Sequence, residues 1–352
     1  MRIMKKAAIL TTLLFSLAAP LVHAQDPQKQ RVDAALKKAT DFLISQQQES
    51  GAIAEKGIRP DVTMTSLAIL AMGALGHQPA DPTPEGRAMK KGLEFVLKPG
   101  NQEPDGYFGK SDGSRMYGHG IISLMLAEML GMGADEKQDA AIRERCRKAI
   151  ELILRSQRMP KNEHNRGGWR YTPDAADSDM SVTCWQVMAL RAARNAGMDV
   201  PKESIDLAVR YIKSLYSSGE RRGGPGGFGY ASKGTELSTT AEGLLALQVC
   251  GEYEAEETKG ASERLLQKGL RSGDKWFYYT AYYMAQGMYQ RGEKYATEGR
   301  RIIYDAVLPL QRSDGSWEGE GGEERQGGKV YATSLAMLSL AVKNHFLPIY
   351  QR

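Results

Sequence analysis

Thr65-Ser66-Leu67-Ala68-Ile69-Leu70 is the first of six related segments that shape this 352-residue chain. Each copy opens with a threonine or a histidine and continues mainly with small and aliphatic residues at helical spacing. The copies begin at Thr65, His119, Thr183, Thr240, Thr280 and Thr333. By subtraction of residue numbers, successive starts lie 54, 64, 57, 40 and 53 residues apart. Helical repeats of this length must stack on their neighbours to bury their apolar faces.

Two kinds of helix alternate within the repeats. The first kind has one apolar stripe opposite charged residues, which is typical of surface helices. We predict these outer helices at 32–48, 85–97, 137–157, 202–216, 256–270 and 295–311. The second kind is apolar or small on almost every side, as buried helices are. We predict these inner helices at 64–75, 121–130, 181–193, 238–250, 276–289 and 331–342. The alternation predicts an all-α fold, an (α/α)6 toroid with six outer and six inner helices.

Residues 1–24 have the features of a secretory signal peptide. Arg2, Lys5 and Lys6 precede an apolar run, and small residues before Ala24 and at Ala24 itself offer a cleavage site. We expect cleavage after Ala24, export to the periplasm or the medium, and a single toroid domain over residues 25–352. The apolar run is short for a membrane-spanning helix, and no later stretch is long and apolar enough to be one.

Charge and cysteine content exclude several classes of function. The whole chain has a formal net charge of +5, which falls to +2 without the three basic residues of the signal. A nearly neutral chain with no basic stripe predicts no nucleic-acid partner. Cys146, Cys184 and Cys250 are odd in number and widely spaced, so they form neither a disulfide framework nor a zinc site. They are expected to be buried thiols, although one pair could be bridged.

The joins between outer and inner helices are rich in glycine and aromatic residues. They lie at 105–109, 167–171, 226–230 and 314–317. Because each join runs from an outer to an inner helix, all should lie on one face of the toroid, beside the N-termini of the inner helices. The helix dipoles would make this face mildly attractive to anions.

One join carries a family motif. Gln311-Arg312-Ser313-Asp314-Gly315-Ser316-Trp317 matches Q-x-x-x-G-x-W, the QW motif of squalene-hopene and oxidosqualene cyclases. Over residues 32–346 the chain resembles the prenyltransferase and squalene oxidase repeat group, the terpenoid cyclase/protein prenyltransferase α/α toroid superfamily. The resemblance implies the toroid and an apolar, isoprenoid-type ligand in its central cavity.

The chain departs from this superfamily in its catalytic motifs. Triterpene cyclases have two α/α domains and protonate their substrate with an Asp-x-Asp-Asp motif, to which Asp177-Ser178-Asp179-Met180 is only a partial match. Protein prenyltransferase β-subunits bind zinc through an Asp-x-Cys pair and a later histidine. Asp179 and Cys184 have the wrong spacing for this pair, and His345 lies near the far end of its helix. We therefore expect no metal and no cofactor.

Three residues are candidate catalytic groups. Asp177 and Asp179 precede the third inner helix, where paired carboxyls can act as an acid. Alternatively, they cap the helix by accepting hydrogen bonds from its free amides. His119 occupies the place of the repeat threonine and would act as an acid or base at the cavity mouth, or else have a structural role.

Aromatic residues supply the candidate binding surface. Stacked rings could stabilise a carbocation, stack on sugars or simply fill the core. On the fifth and neighbouring inner helices the candidates are Trp276, Tyr279, Tyr283, Trp185 and Tyr331. On the join face they are Trp169, Arg170, Tyr171 and Tyr230. Arg170 could receive a diphosphate or carboxylate, whereas turn packing is the alternative role for this second group.

Three hypotheses of function follow. The first is an exported, terpene cyclase/prenyltransferase-like toroid that binds or transforms an apolar ligand; as an enzyme it would be an isomerase or transferase, with Asp177 or Asp179 as proton donor. The second is a non-catalytic toroid that binds a protein or glycan outside the cytoplasm. The third is a carbohydrate-active α/α-barrel enzyme, which would need two carboxyls.

The signal peptide can be tested directly. When the full chain is expressed in a bacterium with a Sec pathway, we expect the mature protein to begin at Gln25, because export is coupled to cleavage after Ala24. Intact-mass spectrometry of the periplasmic and medium fractions measures this end. Recovery of the uncleaved chain from the cytoplasm would contradict the expectation.

Overall fold

Twelve long helices form two concentric rings in the computed structural model, which describes residues 26–57, 59–219, 224–344 and 346–351. The outer helices are α1 (Pro27–Ser45), α3 (Pro84–Val96), α5 (Glu136–Gln157), α7 (Lys202–Ser214), α9 (Glu256–Lys268) and α11 (Glu293–Val307). The inner helices are α2 (Asp61–Gly73), α4 (Arg115–Glu128), α6 (Met180–Asn195), α8 (Leu237–Val249), α10 (Phe277–Arg291) and α13 (Gly328–Leu340). Two smaller features lie in the joins: the helix α12 (Gly322–Gln326) and a hairpin of β1 (Tyr216–Ser217) and β2 (Gly227–Phe228).

The inner ring closes on itself. Each inner helix packs on the next in chain order, and α13 returns to pack on α2, while α1 covers α13 from outside. The inner helices are buried along almost their whole length, with Leu67, Val187 and Leu244 fully inaccessible. The predicted (α/α)6 toroid is therefore confirmed. The predicted signal peptide lies outside the described residues.

The inner helix α4 begins six residues earlier than its predicted start at residue 121. The predicted range 121–130 leaves out Gly118 and Gly120. In the structure they lie inside the helix, where a Cβ on Gly120 would come within 2.6 Å of the Gln186 amide nitrogen. The two glycines allow α4 to pack closely against its neighbours, and His119 lies within the helix instead of beginning it.

In five of the six repeats, the first residue accepts a hydrogen bond from the join that precedes it. The backbone N–H of Trp317 donates to Thr333 Oγ1 at 3.0 Å, and that of Phe108 donates to His119 Nδ1 at 3.3 Å. The same bond joins Ile53 to Thr65, Trp169 to Thr183 and Phe228 to Thr240. A buried N–H needs an acceptor, so this bond explains why threonine or histidine opens the repeat.

A glutamine fastens each of four joins to the following outer helix. Gln311 Nε2 donates to the carbonyl oxygen of Gly315 at 2.9 Å and to that of Ala35 in α1 at 2.8 Å. Gly315 has φ +88°, and a Cβ there would lie 2.3 Å from the Lys38 carbonyl oxygen, so only glycine fits. Equivalent pairs of hydrogen bonds are made by Gln47, Gln102 and Gln157. The Gln311 bond to α1 connects the last repeat to the first and helps to close the ring.

The fifth repeat is built differently. Its spacing from the fourth is only 40 residues, and Thr280 Oγ1 is buried with no hydrogen-bond partner among the described residues. Trp276 precedes α10 in the left-handed region, with φ +58°, a conformation that strains a bulky residue. Glu324 of α12 accepts hydrogen bonds from the N–H groups of Tyr278 and Tyr279. The N-terminus of α10 is thus held by a neighbouring repeat.

The C-terminal segment covers the other end of the inner ring. Ile349 and Tyr350 are buried, and the Ile349 N–H donates to Glu128 Oε2 at 3.2 Å. The hydroxyl of Tyr350 is hydrogen-bonded to that of Tyr282. Burial raises the pKa of Glu128 to about 8. This segment packs beneath the core at the end of the toroid away from the joins.

The join hydrogen bond should carry measurable stability. Thr183→Val leaves the Trp169 N–H without its acceptor and should lower the free energy of unfolding by about 1–3 kcal/mol. Thr280→Val is the matched control, because it removes a hydroxyl that has no partner; it should be neutral or slightly stabilising. Urea denaturation followed by circular dichroism measures both, and equal losses in the two variants would refute the structural role of the bond.

Candidate functional site

A cavity of about 800 Å³ opens among the N-terminal ends of the inner helices. Every inner helix contributes to it, from Met64 of α2 round to Tyr331 of α13. Its aromatic lining consists of Tyr117, Tyr171, Tyr230, Trp276, Tyr279 and Tyr331. Its polar lining includes Ser181, Glu236, Ser238, Thr239, Glu242, Asp274 and Lys275. This central cavity is the candidate functional site, and the joins lie on the same face, as the sequence predicts.

The structure brings five of the predicted aromatic residues to the cavity wall. These are Tyr171, Tyr230, Trp276, Tyr279 and Tyr331. Trp185 and Tyr283 do not line the cavity; they are buried beneath it and pack edge to face with ring centroids 5.6 Å apart. Trp185 also stacks on Tyr282. Together these rings support the wall from below.

Tyrosine hydroxyls provide polar points on this apolar surface. Tyr117, which the sequence analysis did not select, donates a hydrogen bond to the hydroxyl of Tyr279 at 2.7 Å. Tyr171 and Tyr230 are joined by a hydrogen bond between their hydroxyls. The latter pair links the join before α6 to the join before α8. The wall can therefore contact a hydrocarbon with its ring faces while its hydroxyls satisfy one another.

Glu242 is the carboxyl that borders the cavity and is fully buried. Its Oε1 accepts a hydrogen bond from Ser181 Oγ at 3.1 Å, and its Oε2 has no hydrogen-bond partner among the described residues. Burial raises the pKa of Glu242 well above its ordinary value, although the hydrogen bond from Ser181 acts to lower this pKa. Burial therefore favours the protonated, neutral form of this side chain.

The sequence analysis missed Glu242, although the chain carries a signal for it. Glu242 is the only charged residue in the segment Leu237–Val249, which is otherwise a buried helix. An ionisable residue within a wholly buried helix needs either a partner or a function.

Asp177 and Asp179 lie beside the cavity and do not line it. Asp179 is buried at the N-terminus of α6, where its Oδ1 accepts a hydrogen bond from the Val182 N–H at 2.8 Å, so it has the capping role. Its Oδ2 lies 3.4 Å from Arg170 Nε, and Oδ2 of the exposed Asp177 lies 3.5 Å from the same atom. Burial raises the pKa of Asp179 to about 6, although the hydrogen bond from Val182 and the charge of Arg170 both act to lower this pKa.

Arg170 braces the wall and is not placed to receive a ligand anion. Its guanidinium lies over the ring of Tyr171 at 4.7 Å and over that of Tyr230 at 5.4 Å from the centroid. Its charge is shared with two aspartates, and the cavity lining does not include it. Cation–π contacts of this kind fix the orientation of both rings.

His119 and Trp169 have structural roles away from the cavity. Besides the bond from Phe108, His119 Nε2 donates to the Ala149 carbonyl oxygen at 3.1 Å, so both ring nitrogens are occupied. Burial lowers the pKa of His119 to about 4, which keeps the ring neutral. Trp169 is buried, and its Nε1 donates to the Ile153 carbonyl oxygen at 2.9 Å. Neither residue is free to act on a ligand.

Carboxylates offset the expected attraction of this face for anions. Asp112 accepts from the Thr63 N–H of α2, and Glu55 accepts from the Val330 N–H of α13. With Asp179 on α6 and Glu324 on α10, four inner-helix N-termini are occupied by protein acceptors. Lys275 is the only basic residue that lines the cavity within the described part of the chain. The helix dipoles are therefore largely neutralised from within.

Solved structures with the same fold include enzymes of two unrelated chemistries. A variant of the type II terpene cyclase MstE from Scytonema, in complex with its product merosterolic acid A, has a TM-score of 0.59 at 15% identity. The alignment covers 91% of this chain and 99% of that chain. A variant of the α-1,6-mannanase GH76A of Salegentibacter sp. HEL1_6, in complex with α-1,6-mannotetrose, has a TM-score of 0.62 at 8% identity. That alignment covers 91% of this chain and 100% of the mannanase.

These similarities establish the fold and leave the chemistry open. No family model and no curated protein matches the sequence. At such low identity, catalytic residues cannot be transferred from a terpene cyclase or a mannanase. None of the described helices combines the length and apolar content that crossing a bilayer requires. Within the described residues, no group of three or more His, Cys, Asp or Glu side chains is placed to hold a metal ion.

Burial of Glu242 should make stability depend on pH. A glutamate in the unfolded chain ionises near pH 4.5, whereas the folded chain keeps the Glu242 proton to higher pH. The folded state therefore loses stability relative to the unfolded state as pH rises above 4.5. Glu242→Gln cannot ionise, so its melting temperature should exceed that of the wild type at pH 8 by more than at pH 5.

Glu128→Gln is the matched variant, because it also replaces a buried acid whose pKa is raised but lies at the opposite end of the ring. The melting temperature of this variant should exceed that of the wild type by an amount that grows between pH 4.5 and about 8. Differential scanning fluorimetry over this range measures both variants. A Glu242→Gln curve parallel to that of the wild type would show that Glu242 is ionised in the folded protein.

Proposed function

We propose that this protein is an exported, single-domain α/α toroid that binds an apolar, isoprenoid-type small molecule in its central cavity. The observation that carries the proposal is the cavity itself: a volume of about 800 Å³ walled by tyrosine and tryptophan rings. Pockets of this size and lining suit small apolar molecules, which gain free energy as their surface leaves water. The signal-peptide features of residues 1–24 support export.

The electrostatics of the cavity support a neutral ligand. Its walls carry aromatic rings, and burial favours the neutral form of Glu242, the fully buried carboxyl at its border. The other ionisable residues of the lining are Glu236, Asp274 and Lys275. Lys275 and Asp274, which have opposite charges, stand together at the start of α10.

The arrangement favours binding over cyclisation. Cyclisation that starts from an alkene needs a strong acid to protonate a carbon atom, and an acid whose pKa is raised releases its proton less readily. Glu242 is such an acid, while Asp179 caps helix α6 and does not line the cavity. We therefore propose that Asp177 and Asp179 have structural roles and that Glu242 is the carboxyl that contacts the ligand.

Mass spectrometry of co-purifying molecules tests the proposal. The mature protein should release an apolar small molecule into organic solvent at a stoichiometry approaching one. Ser238→Trp places a large side chain in the cavity lining and should abolish this release. Ser313→Trp is the matched control, because Ser313 is exposed in a different join, and should leave the release unchanged.

Two results would overturn the proposal. One is a well-folded wild-type protein that carries no apolar molecule and takes up neither farnesol nor squalene. The other is equal release from the Ser238→Trp variant. Recovery of an oligosaccharide in place of a lipid would favour the alternative class, a toroid that binds glycans, whose solved counterpart is the mannanase bound to α-1,6-mannotetrose.

A further inference from the structure

Two buried polar atoms near the base of the cavity lack partners. Glu242 Oε2 and Trp185 Nε1 make no hydrogen bond with any described residue. Buried polar atoms in folded proteins are almost always hydrogen-bonded, so each exception needs an explanation. Glu242 borders the cavity, while Trp185 packs against Tyr279 of its wall. A polar group on a ligand that displaced the side chains covering Glu242 Oε2 would satisfy this atom.

Within the described part of the chain, the groups that interact with Glu242 carry no positive charge. Helix α6 contributes Ser181, Asp179 and Cys184, and α4 contributes Tyr117. The remaining groups, from α10 and α13, are Tyr279, Tyr283 and Tyr331. All of these are hydroxyls, a thiol or acids. A phosphate or carboxylate placed beside Glu242 would be desolvated among groups that carry no positive charge.

We propose that the base of the cavity recognises an uncharged oxygen group, a hydroxyl or carbonyl, on an otherwise apolar ligand, with Glu242 as hydrogen-bond donor and Ser181 beside it. This inference rests on the proposed function and specifies the class of ligand. It selects prenyl alcohols, ethers and ketones, and it excludes prenyl diphosphates inserted head first.

The local chemistry supports both partners of such a bond. A protonated carboxyl donates one hydrogen bond and keeps acceptor capacity on its other oxygen. Ser181 Oγ already donates to Glu242 Oε1 at 3.1 Å and can still accept from a ligand hydroxyl. Ser181 itself lines the cavity. A hydroxyl could therefore donate to Ser181 and accept from Glu242, whereas a carbonyl could use Glu242 alone.

Binding of three matched probes tests the inference. Farnesol, farnesene and farnesyl diphosphate share a fifteen-carbon chain and differ in their end group. We expect the wild-type protein to bind farnesol about tenfold more tightly than farnesene, which lacks the oxygen, and to bind the diphosphate most weakly. Competition against a fluorescent apolar probe gives the three dissociation constants.

Two variants separate the hydrogen bond from the apolar contact. Glu242→Gln retains a donor and should keep most of the preference for farnesol. Glu242→Leu has no donor and should bind farnesol and farnesene equally, without losing affinity for farnesene. Thermal melting of each variant establishes that it is folded, and Ser181→Ala, which keeps Glu242, provides a second measurement should the leucine variant not fold.

The outcomes distinguish this inference from the proposed function. The inference is wrong if farnesyl diphosphate binds as tightly as farnesol, or if folded Glu242→Leu keeps the preference of the wild type for farnesol. In either case, binding of farnesene would still support the proposed function. If Glu242→Leu does not fold, the Ser181→Ala variant decides. An undiminished preference of this variant for farnesol overturns the inference, and a reduced preference supports the inference. Failure of all three probes to bind the folded wild-type protein would overturn both.

Discussion

The toroid depends on one recurrent hydrogen bond, from the backbone N–H of a join residue to the first side chain of the inner helix that follows. Thr65, His119, Thr183, Thr240 and Thr333 accept it. The donor residue buries its own side chain in the core, so it could not satisfy its N–H with water. The bond therefore fixes where each join enters the ring. Because it is made at the start of every inner helix but that of the fifth repeat, it aligns their N-termini on one face.

The same alignment determines the electrostatics of the cavity. Six helix N-termini directed toward one face would favour an anion, yet Glu55, Asp112, Asp179 and Glu324 already accept hydrogen bonds from four of them. Glu55, Asp112 and Glu324 come from other joins, so capping also links neighbouring repeats. The protein's own carboxylates thus occupy positions that a diphosphate would otherwise use. What remains at the centre is a wall of aromatic rings with little net charge.

The repeat pattern predicted the architecture well because it reflects burial that is averaged over whole helices. All six outer and six inner helices exist, and the largest boundary error is at α4, where Gly118 and Gly120 lie inside the helix and allow close packing. The site was predicted less well. Which side of a buried helix meets the cavity and which meets the neighbouring helix depends on the ring, and Trp185 and Trp276 cannot be distinguished by composition. His119 looked like a candidate acid or base because its acceptor role only becomes visible beside Phe108.

Glu242 illustrates how such a ring acquires chemistry without changing its fold. The inner-helix positions just after the join are the ones that border the cavity, and α8 carries its carboxyl two residues after Thr240, the threonine that binds the join. The hydrogen bonds to Phe228 are made by Thr240 and Thr239, so the residue at 242 can vary without loosening the join. One side chain at such a position decides whether the cavity presents a strong acid, a neutral donor or plain hydrocarbon. Solved structures with the same fold hold merosterolic acid A in one protein and α-1,6-mannotetrose in another. In this chain, the residues that close the ring and those that line the cavity are largely different, so the lining can change while the ring stays closed.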